Sequence, residues 1–192
     1  LCSDGSGNLS AAGDLPNTNP LLSALGNYGG QTPTHALLPG SPAINAGTAT
    51  GAPASDQRGI ARVGATDIGA LESRGFTLTR TSGNAQTAAI NTAFAAPLVA
   101  TVTSSVSEPV QGGVVSFTAP GSGASTTLGS ASATIAANGQ ASTTATANGT
   151  VGSYNVGASA TGATGGPLSY ALTNRALSAD LQFFYNDTAT TE

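Results

Sequence analysis

The chain has 192 residues, of which 39% are hydrophobic and only 7% are charged, and its formal net charge is −4. Five arginines and no lysine make up its Lys+Arg count, which argues against a nucleic-acid partner and against a polybasic membrane patch. No run approaches the roughly 18 apolar residues of a membrane-spanning helix. The 26 glycines and 10 prolines indicate an all-β protein rich in turns.

Residues 1–74 show no lasting hydrophobic period. Turn signals recur every few residues, and apolar pairs such as Leu37-Leu38 stand between them. The opening "SDGSGN" spaces Asp4, Ser6 and Asn8 like the start of a calcium loop. However, leucines stand where an EF-hand needs its glycine and its closing glutamate. We therefore predict no metal site, with an irregular calcium site as the alternative.

His35 is the only histidine and Cys2 the only cysteine, so the chain offers neither a disulfide framework nor a metal-spaced His/Cys cluster. A catalytic triad would need serine and aspartate brought to His35; the favoured interpretation is a hydrogen-bonded structural histidine. No nucleophile elbow or phosphate loop is present. The sequence therefore predicts no catalytic residue and no cofactor.

Single charged residues are scattered through the same half of the chain. Asp56, with Arg58 two residues on, could bind a ligand carboxylate or a sugar. The favoured alternative is an internal ion pair, in which Asp56 or Asp67 pairs with Arg58 or Arg62 and fixes an irregular loop.

From Phe76 onward, period-two alternation recurs about every ten residues, which is typical of a β-sandwich. About seven strands fit: 76–80, 98–103, 114–118, 131–135, 141–145, 154–160 and 168–172. Asn138-Gly139 between two alternating runs predicts a hairpin with a type I′ turn.

Asn148-Gly149 is more ambiguous, since it could form another hairpin. A tyrosine shortly after it favours the tyrosine corner of immunoglobulin-like sandwiches, where the chain crosses between sheets. On this interpretation Tyr154 is largely buried, on the same face as Val156 and Ala158. Its hydroxyl then bonds backbone near Asn148–Val151.

Several motifs of the first half stand in a characteristic order: NPLL (19–22), GG (29–30), THALL (34–38), GSPAI (40–44), DQRG (56–59) and DIGA (67–70). Residues 4–73 thereby resemble the C-terminal region of the bacterial choice-of-anchor Q family, although Asn45 replaces the more frequent aspartate. The resemblance implies coils and cap of a right-handed parallel β-helix over residues 1–74. Leu37, Leu38 and Ile44 would then form a non-periodic lid over the open end of that helix, with His35 inside the plug.

Residues 75–176 resemble bacterial Ig-like repeats through "VVSFTAP", "ANGQASTTATANGTVGSYNVGASA" and "YALTN". That likeness implies a sandwich of about seven strands, used as a stalk or adhesion module. Residues 177–192 are predicted to be a disordered tail. "FFYNDTATTE" resembles translated sequencing-adapter read-through, with an aromatic-rich linker as the alternative.

Two functions follow from these resemblances. The first is a non-catalytic piece of a secreted or cell-surface bacterial protein, acting as β-helix cap and Ig-like stalk or adhesion module. The second is the non-catalytic end of an extracellular polysaccharide lyase or hydrolase whose active site lies upstream. The first residue is not methionine, which fits a chain with further domains upstream. The expected partner is an extracellular glycan or a surface protein.

Overall fold

The computed structural model describes residues 14–177, and within this range the chain contains strands and no helix. The predicted all-β class is confirmed. No helix in the described range is long and apolar enough to cross a membrane. The eleven strands are β1 (Phe76–Ser82), β2 (Gln86–Ala89), β3 (Leu98–Thr103), β4 (Val114–Thr118), β5 (Thr126–Leu128), β6 (Ser132–Thr134), β7 (Gln140–Thr143), β8 (Ala145–Ala147), β9 (Gly152–Ser159), β10 (Ala163–Thr164) and β11 (Leu168–Arg175).

These strands form two main sheets and one short two-stranded sheet. The four-stranded sheet has the order β10-β1-β3-β7, and the five-stranded sheet has the order β2-β11-β9-β4-β6. Strands β5 and β8 pair separately. Two pairs are parallel, β1 with β10 and β2 with β11, and the other pairs are antiparallel.

Each of the seven segments predicted from period-two alternation overlaps a strand, and the segment 141–145 covers the end of β7 and the first residue of β8. The four others, β2, β5, β8 and β10, are two to four residues long. A segment this short shows too little alternation to stand out from its surroundings.

The apolar faces of both sheets meet in one cluster of buried side chains. From β3 and β4 come Leu98, Val102, Val115 and Phe117, with exposed fractions of 3% or less. Strand β11 adds Tyr170 and Leu172. Threonine and serine occupy many of the alternate, outward positions, so the alternation in the sequence reflects this division between core and solvent.

The hairpin expected at Asn138-Gly139 is wrong in its turn type and in its pairing. Gly139 has a φ of 78°, but Asn138 is not in the left-handed region that a type I′ turn requires. Hydrogen bonds from Ala136 N to Gln140 O (2.8 Å) and from Gly139 N to Ala136 O (2.9 Å) instead close a three-residue loop. The flanking strands then diverge, because β6 pairs with β4 and β7 pairs with β3.

Residues 14–74 contain no named strand, and the three isolated bridges that join described residues of this segment to one another are all antiparallel. Two of them, Leu22 with Leu37 and Gly26 with Thr34, join residues 21–26 to residues 34–38. We call these two segments the ribbon. The third bridge joins Ser55 to Ala61. Within residues 14–74 the structure shows no parallel strand pair, so the parallel coils expected there stay a prediction.

The segment that the sequence assigns to a lid packs against the sandwich. Leu37, Ala43 and Ile44 belong to the same buried cluster as the sheet residues. Gly162 has a φ of 79°, which favours glycine, and a Cβ there would lie 2.7 Å from Ile44 Cδ1, so any larger residue would push on Ile44. Leu38 is also buried, at 4% exposure.

Backbone hydrogen bonds fix the same contact. Gly40 N donates to Thr161 O (3.0 Å), and Val114 N donates to Pro39 O (2.8 Å). The apolar side of residues 37–44 thus extends the core of the sandwich.

Candidate functional site

Charged side chains from residues 56–72 converge with Glu108 beside the sandwich. We call this group the junction; it consists of Asp56, Arg58, Arg62, Asp67, Glu72 and Glu108. Asp56, Asp67 and Glu72 are each buried to more than 90%. A buried charge requires a partner, so the hydrogen bonds of each carboxylate define what the junction does.

Asp56 is the organising carboxylate of its loop. Arg58 Nη2 lies 2.7 Å from Asp56 Oδ2, and Oδ1 accepts the backbone N–H groups of Arg58 (2.8 Å) and Ile60 (3.2 Å). Oδ2 also accepts Glu72 N (3.1 Å). Burial by itself raises the pKa of the Asp56 carboxyl, but these hydrogen bonds outweigh it and the pKa lies below its usual value. Asp56 therefore stays ionised while it closes the loop.

Arg62 pairs with Glu72, a residue that the sequence analysis left unassigned. Arg62 Nη1 lies 2.6 Å from Glu72 Oε2, which also accepts the N–H of Asp67 (3.1 Å). Arg62 Nη2 donates to Gly69 O (3.2 Å). Arg62 Nε is buried and has no hydrogen-bond partner among residues 14–177.

Asp67 accepts backbone donors and forms no ion pair with either arginine. Its Oδ1 accepts Asn45 N (2.7 Å), and its Oδ2 accepts Ser73 N (2.6 Å). Burial is the largest influence on this carboxyl and raises its pKa, against the opposite effect of these two N–H donors. Of the two ion-pair partners considered for the arginines, the structure uses Asp56 and leaves Asp67 as a backbone acceptor.

Glu108 connects the junction to the sandwich from the loop between β3 and β4. Its carboxylate lies 3.4 Å from Arg58 Nη1 and accepts the Ser73 hydroxyl (3.2 Å). Both of its oxygens also accept Arg74 N, at 3.1 and 3.0 Å. The side chains of Arg58 and Glu108 are only 5% and 7% exposed. One buried carboxylate thus holds the chain where residues 14–74 meet β1.

His35 lies in the ribbon. Its Nδ1 is 2.8 Å from Ser23 O, which as a carbonyl can only accept, so Nδ1 carries the proton. The Ser23 hydroxyl accepts Ala36 N (2.8 Å). His35 therefore helps to hold the two halves of the ribbon together.

His35 also borders a cleft of about 350 Å³ between the ribbon and residues 68–71. Its lining is mainly aliphatic and holds no Asp, Glu, Lys or Arg: Pro20, Leu22, Thr34, His35, Leu37, Ala43, Ile68, Gly69, Ala70 and Leu71.

Tyr154 departs from the expected corner geometry in two ways. It is half-buried, although it shares the face of Val156 and Ala158. Its hydroxyl donates to the Asn174 side-chain oxygen (3.0 Å) and not to backbone near Asn148–Val151. Asn174 is fully buried, and its Nδ2 donates to Ser125 O (2.9 Å), Asn148 Oδ1 (2.9 Å) and Thr150 O (3.1 Å). Tyr154 is thus linked to the segment Asn148–Val151 indirectly, through Asn174.

Sequence reasoning missed the importance of Asn174 and Tyr170. Asn174 shares the inward parity of Tyr170 and Leu172 on β11, and a polar residue in that position is a signal that could have been noticed. Period-two alternation places Tyr170 on one face with Leu168 and Leu172, but nothing in its local sequence indicates where its hydroxyl bonds.

Within residues 14–177 no group of three or more His, Cys, Asp or Glu side chains could hold a metal ion. The Asp4, Ser6 and Asn8 segment, Cys2 and the predicted disordered tail from residue 178 onward lie outside the described residues. A comparison of the chain with protein-family models and with curated proteins finds no match.

Proposed function

We propose that this chain is a non-catalytic part of a secreted or cell-surface bacterial protein. In this proposal residues 1–74 form the end cap of a parallel β-helix, and residues 75–176 form an Ig-like domain that serves as a stalk or adhesion module. The proposal for residues 1–74 is supported by the motif order that resembles the choice-of-anchor Q family.

The strand order supports the Ig-like part. In chain order, β1, β3 and β7 lie together in one sheet, and β4, β9 and β11 lie together in the other. An immunoglobulin constant-type sandwich likewise divides its strands into A-B-E-D and C-F-G. The first two strands are divided between the sheets. Strand β1 belongs to the four-stranded sheet, and β2 pairs in parallel with β11, the last strand of the five-stranded sheet. The pairing of β4 with β6 adds a strand beyond the G-F-C order, as in variable-type domains.

The junction is the observation that carries the proposal. Asp56, Arg58 and Glu108 bond one another or nearby backbone across the boundary between the two parts. Buried, mutually paired charges of this kind fix geometry, which a stalk or an adhesion module needs. The junction thus works as a rigid connector.

The rigidity can be measured directly. In a Cys2→Ser background, spin labels at the exposed positions of Thr50→Cys and Thr150→Cys report the distance between the two parts by pulsed electron resonance. We expect one narrow distance distribution, broadened by Glu108→Ala. A broad distribution in the starting protein would contradict the rigid connector.

The enzyme alternative needs a separate assay. The purified chain is incubated with neutral and acidic polysaccharides, and release of reducing or unsaturated ends is measured. We expect none above a heat-denatured control. Release that His35→Ala abolishes would overturn the non-catalytic assignment.

A further inference from the structure

The sequence contains two Asn-Gly pairs, and the structure places both asparagines in similar turns. Asn138 Oδ1 accepts the N–H of Gln140 (3.1 Å), and Asn148 Oδ1 accepts the N–H of Thr150 (3.2 Å). In both turns the asparagine side chain therefore folds back along the residue that follows it. That residue is a glycine, so its nitrogen can attack the side-chain carbonyl carbon of the asparagine with little steric hindrance. Each pair is thus a candidate for cyclisation, and its surroundings decide whether it reacts.

The N–H groups of the two glycines differ. Gly139 is buried, its N–H donates to Ala136 O (2.9 Å), and its carbonyl accepts Val102 N (2.8 Å). Gly149 is exposed, and no residue in the described range 14–177 accepts a hydrogen bond from its N–H. The nitrogen must lose its proton to attack, and a hydrogen bond to a backbone carbonyl opposes that loss. Gly149 therefore offers the more reactive nitrogen.

The side-chain oxygen of Asn148 is also surrounded by more donors. Besides Thr150 N, its Oδ1 accepts Ser125 N (3.2 Å) and Asn174 Nδ2 (2.9 Å). Asn138 Oδ1 accepts one donor within the described part of the chain. Attack on Cγ moves negative charge onto Oδ1, and donors that are already aimed at this atom stabilise that charge, as in an oxyanion hole. The contacts that hold Asn148 thus also polarise its carboxamide.

We propose that Asn148 forms a succinimide and deamidates spontaneously in the folded protein, whereas Asn138 is protected. Gly149 N gives its proton to a solvent base, and its lone pair forms the bond to Asn148 Cγ while the C=O pair moves onto Oδ1. When the C=O bond re-forms, the Cγ–Nδ2 bond breaks, and the amide nitrogen takes up a proton and leaves as ammonia. Water then opens the cyclic imide at one of its two carbonyl carbons. The product at position 148 is aspartate or isoaspartate.

The modification changes the network around the buried Asn174. Asn148 Nδ2 donates to Gly123 O (2.8 Å), whereas aspartate at this position sets a carboxylate oxygen against that carbonyl. Isoaspartate adds a methylene to the backbone between β8 and β9. Both products place a negative charge beside Asn174, whose Nδ2 also donates to Ser125 O and Thr150 O. Deamidation at Asn148 thus acts on the contacts that join β11 to this end of the sandwich.

Mass spectrometry of the full chain tests the proposal. The folded protein is incubated in mildly alkaline buffer made with heavy-oxygen water, and peptide fragmentation then locates the incorporated oxygen. We expect Asn148 to react about tenfold faster than Asn138 or more, because the donors and the free glycine nitrogen act together. In urea, where neither turn persists, the two rates should become similar. A folded chain in which Asn138 reacts as fast as Asn148, or in which Asn148 stays unmodified while the urea-treated chain reacts, would overturn the proposal.

A variant of the glycine identifies the attacking group. Gly149→Ala should keep the fold, because its Cβ would lie 3.5 Å from Asn91 Oδ1, an ordinary contact, and its φ is outside the left-handed region. The added methyl group hinders the approach of the nitrogen, so the reaction at Asn148 should slow severalfold. The rate at Asn138 in the same molecule is the matched control and should not change. An unchanged rate at Asn148 would show that Gly149 N is not the nucleophile, which would also overturn the proposal.

Discussion

The hydroxyl of Tyr170 donates a hydrogen bond of 2.8 Å to the carbonyl of Val99, across the interior of the sandwich. Tyr170 lies on β11 in the five-stranded sheet, and Val99 lies on β3 in the four-stranded sheet. The tyrosine has no exposed surface, and its ring centroid is 6.2 Å from that of Phe117. This one side chain therefore joins the two sheets by packing and by a hydrogen bond.

Tyr170→Phe should lower the free energy of unfolding by about 1–2 kcal/mol, because the buried Val99 carbonyl loses a donor. Tyr154→Phe is the matched control and should cost about 0.5–1.5 kcal/mol, since Tyr154 is only half-buried. Urea denaturation of both variants measures the difference. A larger loss for Tyr154→Phe would contradict this ranking.

The same tyrosine should make the protein sensitive to alkali. Burial raises the pKa of the Tyr170 hydroxyl to about 12, against the opposing effect of Arg80, whereas the unfolded chain releases this proton near pH 10. Between these values the folded state holds a proton that the unfolded state has lost, so stability falls as pH rises. The contribution is complete below pH 10 and is lost by about pH 12. Urea denaturation across this window should show a shallower decline for Tyr170→Phe than for the parent.

The cost of replacing Asn174 should depend on whether the new side chain is neutral or negatively charged. Asn174→Ala removes donors from Ser125 O and Thr150 O and should cost about 2–3 kcal/mol. Asn174→Asp places a buried carboxylate against those carbonyl oxygens and should cost more at neutral pH. The difference in free energy of unfolding between the two variants should narrow as the pH is lowered, because the new carboxyl becomes protonated. A gap that does not change between pH 7 and pH 4 would argue that solvent reaches this side chain.

Glu108 should protect the boundary between the two parts from proteolysis. Arg74 is exposed and is one of the five basic residues in the chain, so trypsin has few alternatives. Its N–H is held by Glu108, and Gly75 N is held by the Ser73 hydroxyl (3.2 Å), which keeps this bond out of a protease cleft. Glu108→Ala should accelerate cleavage after Arg74 and leave a resistant sandwich fragment. Mass spectrometry identifies the site, and unchanged cleavage would contradict the role of Glu108.

Asp56 should contribute to stability in neutral solution and lose that contribution in acid. Its pKa is lowered in the folded state, so its stabilisation is present above the unfolded pKa of about 4 and is lost as pH falls through the lower folded pKa. Asp56→Asn should cost about 3–5 kcal/mol at pH 7, because the buried Arg58 loses its closer carboxylate partner and keeps only the longer pair with Glu108. The variant should also show a weaker dependence of stability on pH below about 4.

Asp67 provides the contrasting case, since burial raises its pKa. Ionising it therefore costs stability, and its contribution has the opposite sign to that of Asp56 as the pH falls. Glu108→Gln keeps the shape of the side chain and removes its charge. The pH dependence of the free energy of unfolding in this variant therefore reports Asp56 and Asp67 without the charge of Glu108.

The amino-acid sequence by itself determined the all-β class and the positions of seven strands. It did so because alternate residues of a strand point to opposite faces, and a buried face must be apolar whatever its neighbours are. The inward parity of Tyr170 and Leu172 follows from that rule alone.

The tertiary structure decided which residues meet. Period two says nothing about pairing, so β6 and β7 separate into different sheets although an Asn-Gly turn joins them. Tyr170 bonds a residue 71 positions away, Arg58 one 50 positions away, and Tyr154 one 20 positions away. Such contacts depend on where the whole chain folds back on itself. Residues 37–44 likewise show their apolar character locally, but only the packed chain places Ile44 against Gly162, because a buried surface is defined by what covers it.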